Sequence, residues 1–189
     1  MKLKHAFLPA LLCALAACGG GGGASGPKTA TALAYTDPTT GTYQLKKNAA
    51  LSSGSHLVLE VWGPASATGS GVTVAFTLGG TAAAWSNVSA SDAAGTYIAN
   101  GTAFNLGTGT PILKAKLSGA SLLGTVAEKG VASPKTLDKA LVRIALDLKP
   151  GVTAGATATL TPDAAKCQVL NPDGTLSPIA ITAATLTAN

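Results

Sequence analysis

The sequence predicts an all-β fold, a two-sheet sandwich of about nine strands, and three observations lead there. Charged residues make up 11% of the 189-residue chain, against roughly 25% in an ordinary soluble domain. Glu and Gln occur twice each beside 24 Thr, 37 Ala and 23 Gly, a composition that lacks the long-chain helix formers and excludes a helical bundle. Apolar residues at 47% exclude a highly charged disordered chain. The decisive signal is local: short runs alternate apolar and polar with a period of two, and turn residues separate them.

Taken in order, Thr29 to Thr36 and Thr42 to Lys47 flank Asp37-Pro38-Thr39-Thr40-Gly41, a turn opened by Asp-Pro and closed by Gly. His56 to Gly63 places Leu57, Leu59 and Val61 on one face, and Val72 to Leu78 does the same with Val72, Val74, Phe76 and Leu78. Residues 79–110 are rich in Gly, Ala, Ser and Asn, so short or bulged strands are expected near Ala84 to Val88 and Thr96 to Ala99. Pro111 to Ser118 turns Leu113, Ala115 and Leu117 inward and Lys114 and Lys116 outward; Ser121 to Ala127 is a further strand. In Lys139 to Lys149, Val142, Ile144, Leu146 and Leu148 alternate against Arg143, Ala145, Asp147 and Lys149, which excludes a helix there. Ala156 to Thr161, Ala165 to Leu170 and Ile179 to Leu186 complete the set, the last two joined through Asn171-Pro172-Asp173-Gly174. The single helical turn expected is Ser133 to Asp138, with Pro134 at a first-turn position. Nine or ten such strands suffice for two sheets across one core.

The N-terminus carries an address. Met1-Lys2-Leu3-Lys4-His5 is a basic start, and the apolar run Ala6 to Ala17 follows it. Twelve residues cannot cross a bilayer core of about 30 Å as a helix, so the segment reads as a signal peptide. Its end, Leu15-Ala16-Ala17-Cys18, resembles the lipobox of bacterial lipoproteins. That resemblance implies cleavage before Cys18, a diacylglyceryl group on its sulfur and a further acyl chain (commonly palmitate) on its freed amine. Cys13 is a poorer candidate because Leu12 precedes it where a small residue is required. The glycines from Gly19 to Gly23, followed by Ala24-Ser25-Gly26-Pro27, form a flexible tether. The expected organisation is therefore a signal peptide over 1–17, a lipidated Cys and tether over 18–28, and a β-sandwich over 29–189. In the enteric lipoprotein family an aspartate after the Cys is linked to inner-membrane retention; Gly19 stands there instead, so the expected location is the outer membrane of a Gram-negative cell, facing the periplasm or the outside.

The strand series Leu141 to Leu148, the loop Lys149-Pro150-Gly151-Val152-Thr153-Ala154-Gly155 and the Thr-rich run Ala156 to Thr161 together resemble the late strands of cohesin domains. Asp173-Gly174 before the final strand and Val72 to Leu78 as an early core strand fit the same scheme, over residues 45–189. The resemblance implies a nine-stranded jelly roll, an architecture shared with several carbohydrate-binding modules. It also implies a protein-binding role, since cohesins of cellulosomes bind dockerins, but it carries no motif that assigns a binding residue here.

The chain is poor in catalytic chemistry. After processing, His56 is its one histidine; it lies opposite in phase to Leu57 and Leu59 and is expected to face solvent. No Gly-x-Ser-x-Gly elbow occurs, and the eight acids are dispersed, with no metal-loop spacing. Glu60 and Glu128 are the only glutamates, too few to argue for a glycosidase pair. No enzyme, cofactor or metal is implied. The processed chain has eleven basic against eight acidic side chains, a net charge of +3, and no basic stripe that would suit nucleic acid. Cys167 sits in an alternating strand, where a cysteine is a small buried hydrophobe.

Binding is the remaining class, and two forms of it are expected. One is contact with an envelope protein. The other is stacking of a polysaccharide on exposed rings, with Trp62, Trp85 and Tyr97 as candidates. Trp62 is out of phase with the apolar face of its strand, and Trp85 lies in a Gly/Ala-rich stretch. The competing reading has Trp62 covering a sheet edge and Trp85 filling the core beside small alanines.

Overall fold

The computed structural model describes residues 26–104, 112–128 and 133–189. The signal peptide, Cys18 and the glycine run through Gly23 lie outside these residues. Sixteen short strands follow in order: β1 (Leu33–Tyr35), β2 (Tyr43–Lys47), β3 (His56–Trp62), β4 (Thr68–Gly69), β5 (Gly71–Gly80), β6 (Ala83–Ser86), β7 (Ile98–Asn100) and β8 (Ile112–Ser118). Then come β9 (Ser121–Ala127), β10 (Lys135–Thr136), β11 (Ala140–Leu148), β12 (Thr157–Pro162), β13 (Gln168–Leu170), β14 (Leu176–Pro178), β15 (Ile181–Thr182) and β16 (Thr185–Ala188). No helix occurs among the described residues.

The strands form a sandwich of an eight-stranded and a six-stranded sheet. In the larger sheet β5 is central. One side of it pairs with β9, which hairpins to β8; the other side pairs with β12 near its C-terminal end and with β13 near its start. β16 and then β1 extend the sheet beyond β12, and β14 lies beside β13. The smaller sheet runs β15-β2-β3-β11, with β6 and β7 sharing the outer side of β11. Only β15 and β2 pair in parallel among the described strands.

Alternation fixes what lies between the layers. Leu57, Leu59 and Val61 of β3 and Val142, Ile144 and Leu146 of β11 face Val72, Val74 and Phe76 of β5 and Leu122 and Val126 of β9, all buried in one cluster. Gly124 of β9 has no side chain because Ile98 of β7 occupies the space above it; a Cβ there would collide with Ile98 Cδ1. Burial of such large side chains contributes about 1.5–3 kcal/mol each, so the core is the main source of stability.

Two expectations are corrected. Ser133 to Asp138 is not a helical turn: Lys135 and Thr136 form β10, paired with Gly69 and Thr68 of β4. The cause is Leu137, which is fully buried and whose backbone exchanges bonds with Gly63 and Ala67; anchoring that side chain draws the segment out straight. The expected strand Ile179 to Leu186 is really two. β15 belongs to the small sheet and β16 to the large one, so the chain changes layers between them. Tyr35 secures that crossing. Its hydroxyl donates to Leu45 O (2.7 Å) and accepts from Ala184 N (3.1 Å).

Candidate functional site

Two outer faces are available to a partner, and they differ in how much of their surface is already spent. On the small sheet, Glu60 of β3 is buried although it points away from the core. It accepts hydrogen bonds from Asn48 Nδ2 (2.7 Å), Arg143 Nε (2.8 Å) and Trp62 Nε1 (3.1 Å). Lys46 Nζ lies 5.5 Å from the centre of the Trp62 ring, a cation–π contact. Beside this network Val58, Val88 and Ala145 form a second small apolar cluster, with Val88 reaching over from the 87–97 segment. This face is therefore largely self-covered.

The outer face of the large sheet is different. Residues directly opposite one another in an antiparallel pair point the same way, so Lys116, Leu123 and Ala75 form one row across β8, β9 and β5, and Lys114, Thr125 and Thr73 form the next. Thr73 and Thr125 hydroxyls bond each other (2.9 Å), as do those of Thr77 and Ser121 (3.0 Å). Leu123 stands 39% exposed in the middle, and a shallow hollow of about 240 Å³ beside it is bounded by Phe76, Lys116, Asp163 and Lys166. Lys166 donates to Asp163 (2.7 Å); that bond holds the Asp163 carboxyl below the usual range. Lys114 and Lys116, both exposed, form no ion pair among the described residues. The outward direction of these two lysines is as the alternation predicts. That no described residue crosses this face was not legible, because the pattern of one strand says nothing about what lies over it.

The three aromatic candidates do not come together. Trp62 lies on the outer face of the small sheet between Gln44 of β2 and Ala140 of β11. It is thus in mid-sheet rather than at an edge. Trp85 is opposite Leu146 and so on the inner, core-facing side of the same sheet, half-buried at the end of the sandwich. Its Nε1–H donates to Ala120 O (2.9 Å) across to the large sheet. Tyr97 packs against the main core. These positions give no common platform for a chain of sugars.

His56 faces outward as its phase requires, but it is half-buried rather than free in solvent. Its Nδ1 lies 2.6 Å from Asp147 Oδ1, and Ser86 Oγ donates to Asp147 Oδ2 (2.7 Å). The pair is 91 residues apart in sequence, and the signal that could have found it is that both lie on the polar phase of neighbouring strands. No group of three or more His, Cys, Asp or Glu able to share a metal is present among the described residues. Cys167 is buried as expected and does more than fill space. Its sulfur accepts from Ala75 N (3.3 Å) and donates to Ala75 O (3.5 Å), which also accepts from Asp163 N (2.9 Å), where β5 passes from β13 to β12 and has no strand partner on that side. Burial pushes its thiol pKa up.

No protein-family model and no curated protein matches the chain. Solved structures do match. The second type II cohesin module from the adaptor ScaA scaffoldin of Acetivibrio cellulolyticus superposes with a TM-score of 0.54 at 14% identity, covering 82% of this chain and 94% of that one. The sixth cohesin of scaffoldin B from the same bacterium, solved in complex with a mutant Cel5 dockerin, gives 0.50 at 14% identity over 77% and 97%. The chain thus has the jelly-roll sandwich fold of cohesin modules.

Proposed function

We propose that this chain is a non-enzymatic binding protein, held to the outer membrane through a lipidated Cys18 and a glycine tether, whose sandwich takes hold of another envelope protein. The observation that carries the reading is the uncovered face of β5, β8 and β9, with Leu123 exposed beside a hollow and Lys114 and Lys116 along its rim. Such a surface suits a protein segment that presents an apolar side chain flanked by carboxylates: the apolar contact supplies affinity and the lysines supply orientation. The neighbouring cohesin's complex with a dockerin supports a protein partner on this fold, while fold alone does not name it.

The anchor is supported by the basic start, the short apolar run and the Leu-Ala-Ala-Cys ending. Two or more acyl chains make attachment stable, at roughly 0.8 kcal/mol per buried methylene. Mass measurement of the mature chain tests it: acylated Cys18 is expected, and an unmodified thiol there overturns the anchor. For the face, the full chain and its Leu123→Asp and Lys114→Glu/Lys116→Glu variants are compared for capture of partners from envelope extract. The expected result is an acidic protein retained by the wild type, released by salt and lost by both variants. An empty capture, or retention indifferent to all three substitutions, overturns the assignment.

A further inference from the structure

A second concavity lies on the other sheet, away from the proposed partner face. It is a cleft of about 370 Å³ between the Ser53–His56 hairpin and the start of the 87–97 segment, lined by Ser53, Ser55, His56, Ser86, Asn87 and Asp147. Its walls are pre-set. Ser53 and His56 exchange both backbone bonds (2.8 and 2.6 Å), which puts their side chains on one side of the hairpin. Asp147 fixes the imidazole through Nδ1 and is itself fixed by Ser86. The Asn87 amide donates to Asp92 O and Ala93 O and accepts from Gly95 N, pinning the opposite wall.

Hydrogen-bonding capacity remains unspent there. Among the described residues the hydroxyls of Ser53 and Ser55 and the His56 Nε2 have no side-chain partner. Each Asp147 oxygen, already accepting one bond, has a second lone pair. The cleft therefore offers hydroxyls that both donate and accept, one imidazole nitrogen and one carboxylate edge, all within a rigid frame. Among the described residues no lysine or arginine lines it, which disfavours an anionic ligand beside Asp147. Ala90 is its only apolar lining residue among the described residues, which disfavours a greasy one. Among the described residues no third metal-binding group stands near.

We infer that this cleft binds a saccharide, with adjacent ring hydroxyls bonded to Asp147, His56 Nε2 and the two serine hydroxyls. Its volume falls at the lower end of the roughly 300–1,000 Å³ typical of ligand pockets, which fits one or two sugar rings. With no aromatic ring in the lining, apolar stacking adds nothing and the affinity is weak, with a Kd of about 1 mM or above. This site goes beyond the proposed partner binding and does not depend on it.

The test is titration of the isotope-labelled full chain, without its signal peptide, by amide NMR. The probes are glucose, galactose, N-acetylglucosamine and rhamnose at up to about 50 mM, well above a millimolar Kd, with ethanolamine as a cationic comparison. At least one sugar is expected to give saturable shifts confined to Ser53–His56 and Ser86–Ala90. The exposed substitution Ala90→Trp fills the cleft and is expected to weaken that binding at least tenfold, as is Asp147→Asn, which keeps the shape but removes the charge. An unchanged remainder of the spectrum shows that the Ala90 variant is folded. Lys116→Glu should leave the titration as it was, which separates this site from the partner face. Absence of saturable shifts with all four sugars, shifts that survive the Ala90 substitution, or stronger binding of ethanolamine than of any sugar overturns the inference.

Discussion

Tyr35→Phe removes a single oxygen and keeps the ring in its place, so its effect isolates the clip at the layer crossing. Leu45 is fully buried, so its carbonyl loses its 2.7 Å donor with no water to replace it, a cost of about 1–3 kcal/mol. Ala184 N loses a 3.1 Å bond but is half-buried, and water recovers part of that. The sum is about 2–3 kcal/mol, or a fall in Tm of about 4–12 °C for a domain of this size. Urea unfolding followed by circular dichroism measures it, with an unchanged m-value showing that the surface exposed on unfolding is the same. A loss below about 0.5 kcal/mol, the low end for one ordinary hydrogen bond, refutes the idea that the hydroxyl secures the crossing. The pH dependence gives an independent check. Burial raises the Tyr35 pKa to about 12, partly opposed by the Ala184 amide and slightly assisted by Asp37. A raised folded-state value means that the neutral phenol is favoured by folding: its stabilisation is complete below about pH 10 and is lost as pH climbs toward 12. The variant should lose much of that alkaline fall, with the remainder due to Tyr43, which burial shifts the same way.

The other predictions concern single contacts. Glu60→Ala leaves Arg143, Asn48 and Trp62 donors without their acceptor and should cost about 3 kcal/mol in urea unfolding, in the range for breaking a buried pair; Glu60→Gln, which keeps an acceptor, should cost less than half as much. Cys167 should not react with an aromatic disulfide reagent in the folded state and should react fully in urea. Cys167→Ser keeps both bonds to Ala75 and should be milder than Cys167→Val, which leaves the Ala75 N–H without its acceptor at about 1–3 kcal/mol, while Ala75 O keeps its bond from Asp163 N. Gly124→Val should destabilise by about 1–3 kcal/mol through overpacking against Ile98, and Ile98→Ala in the same chain should recover part of the loss, a coupling that a double-mutant cycle reads directly.

The sequence disclosed the fold where a strand is long and one face is clean. β11 and β3 pair over seven positions with Val142, Ile144 and Leu146 against Val61, Leu59 and Leu57, and their alternation was visible without any partner. The C-terminal run from Ile179 to Leu186 reads as one strand because Ala180, Ala183 and Ala184 have too little bulk to mark a face. Its break depends on Tyr35, 149 residues earlier than Ala184. Leu137 shows the same limit: one apolar residue in a polar stretch has no periodicity, yet its burial decides the local backbone. For the sites, side-chain direction was readable and assembly was not. Lys114 and Lys116 point outward as alternation demands, whereas the cover over Val58 and the opening beside Leu123 are properties of whole layers. In the sequence Trp62, out of phase with the apolar face of its strand, and Trp85, in a Gly/Ala-rich stretch, both read as candidate stacking rings. Register across β3, β11 and β6 sends them to opposite faces of one sheet.

The placement of the chain termini bears on how a tethered module would carry force. Ala30 N bonds Val152 O, and Thr31 N and Ala32 N both bond Asn189 O, whose own amide returns a bond to Ala32 O. β1 then runs antiparallel to β16 over Leu33, Ala34 and Tyr35. Under the proposed anchor, a pull on the partner reaches the tether through β5, β12, β16 and β1, all strands of the large sheet that bears the partner face. A load along the strand axis must break the β1–β16 bonds together, whereas a load across them opens the bonds one at a time. β1 is only three residues long, so the bonds on either side of it provide much of that resistance. Locking Leu33 to Ala188 by a cystine, at positions that are direct register partners, should raise the force for detaching the N-terminal segment while leaving partner capture unchanged. Capture that falls with the lock would show that β1 moves during binding, which contradicts a rigid face served by a passive tether.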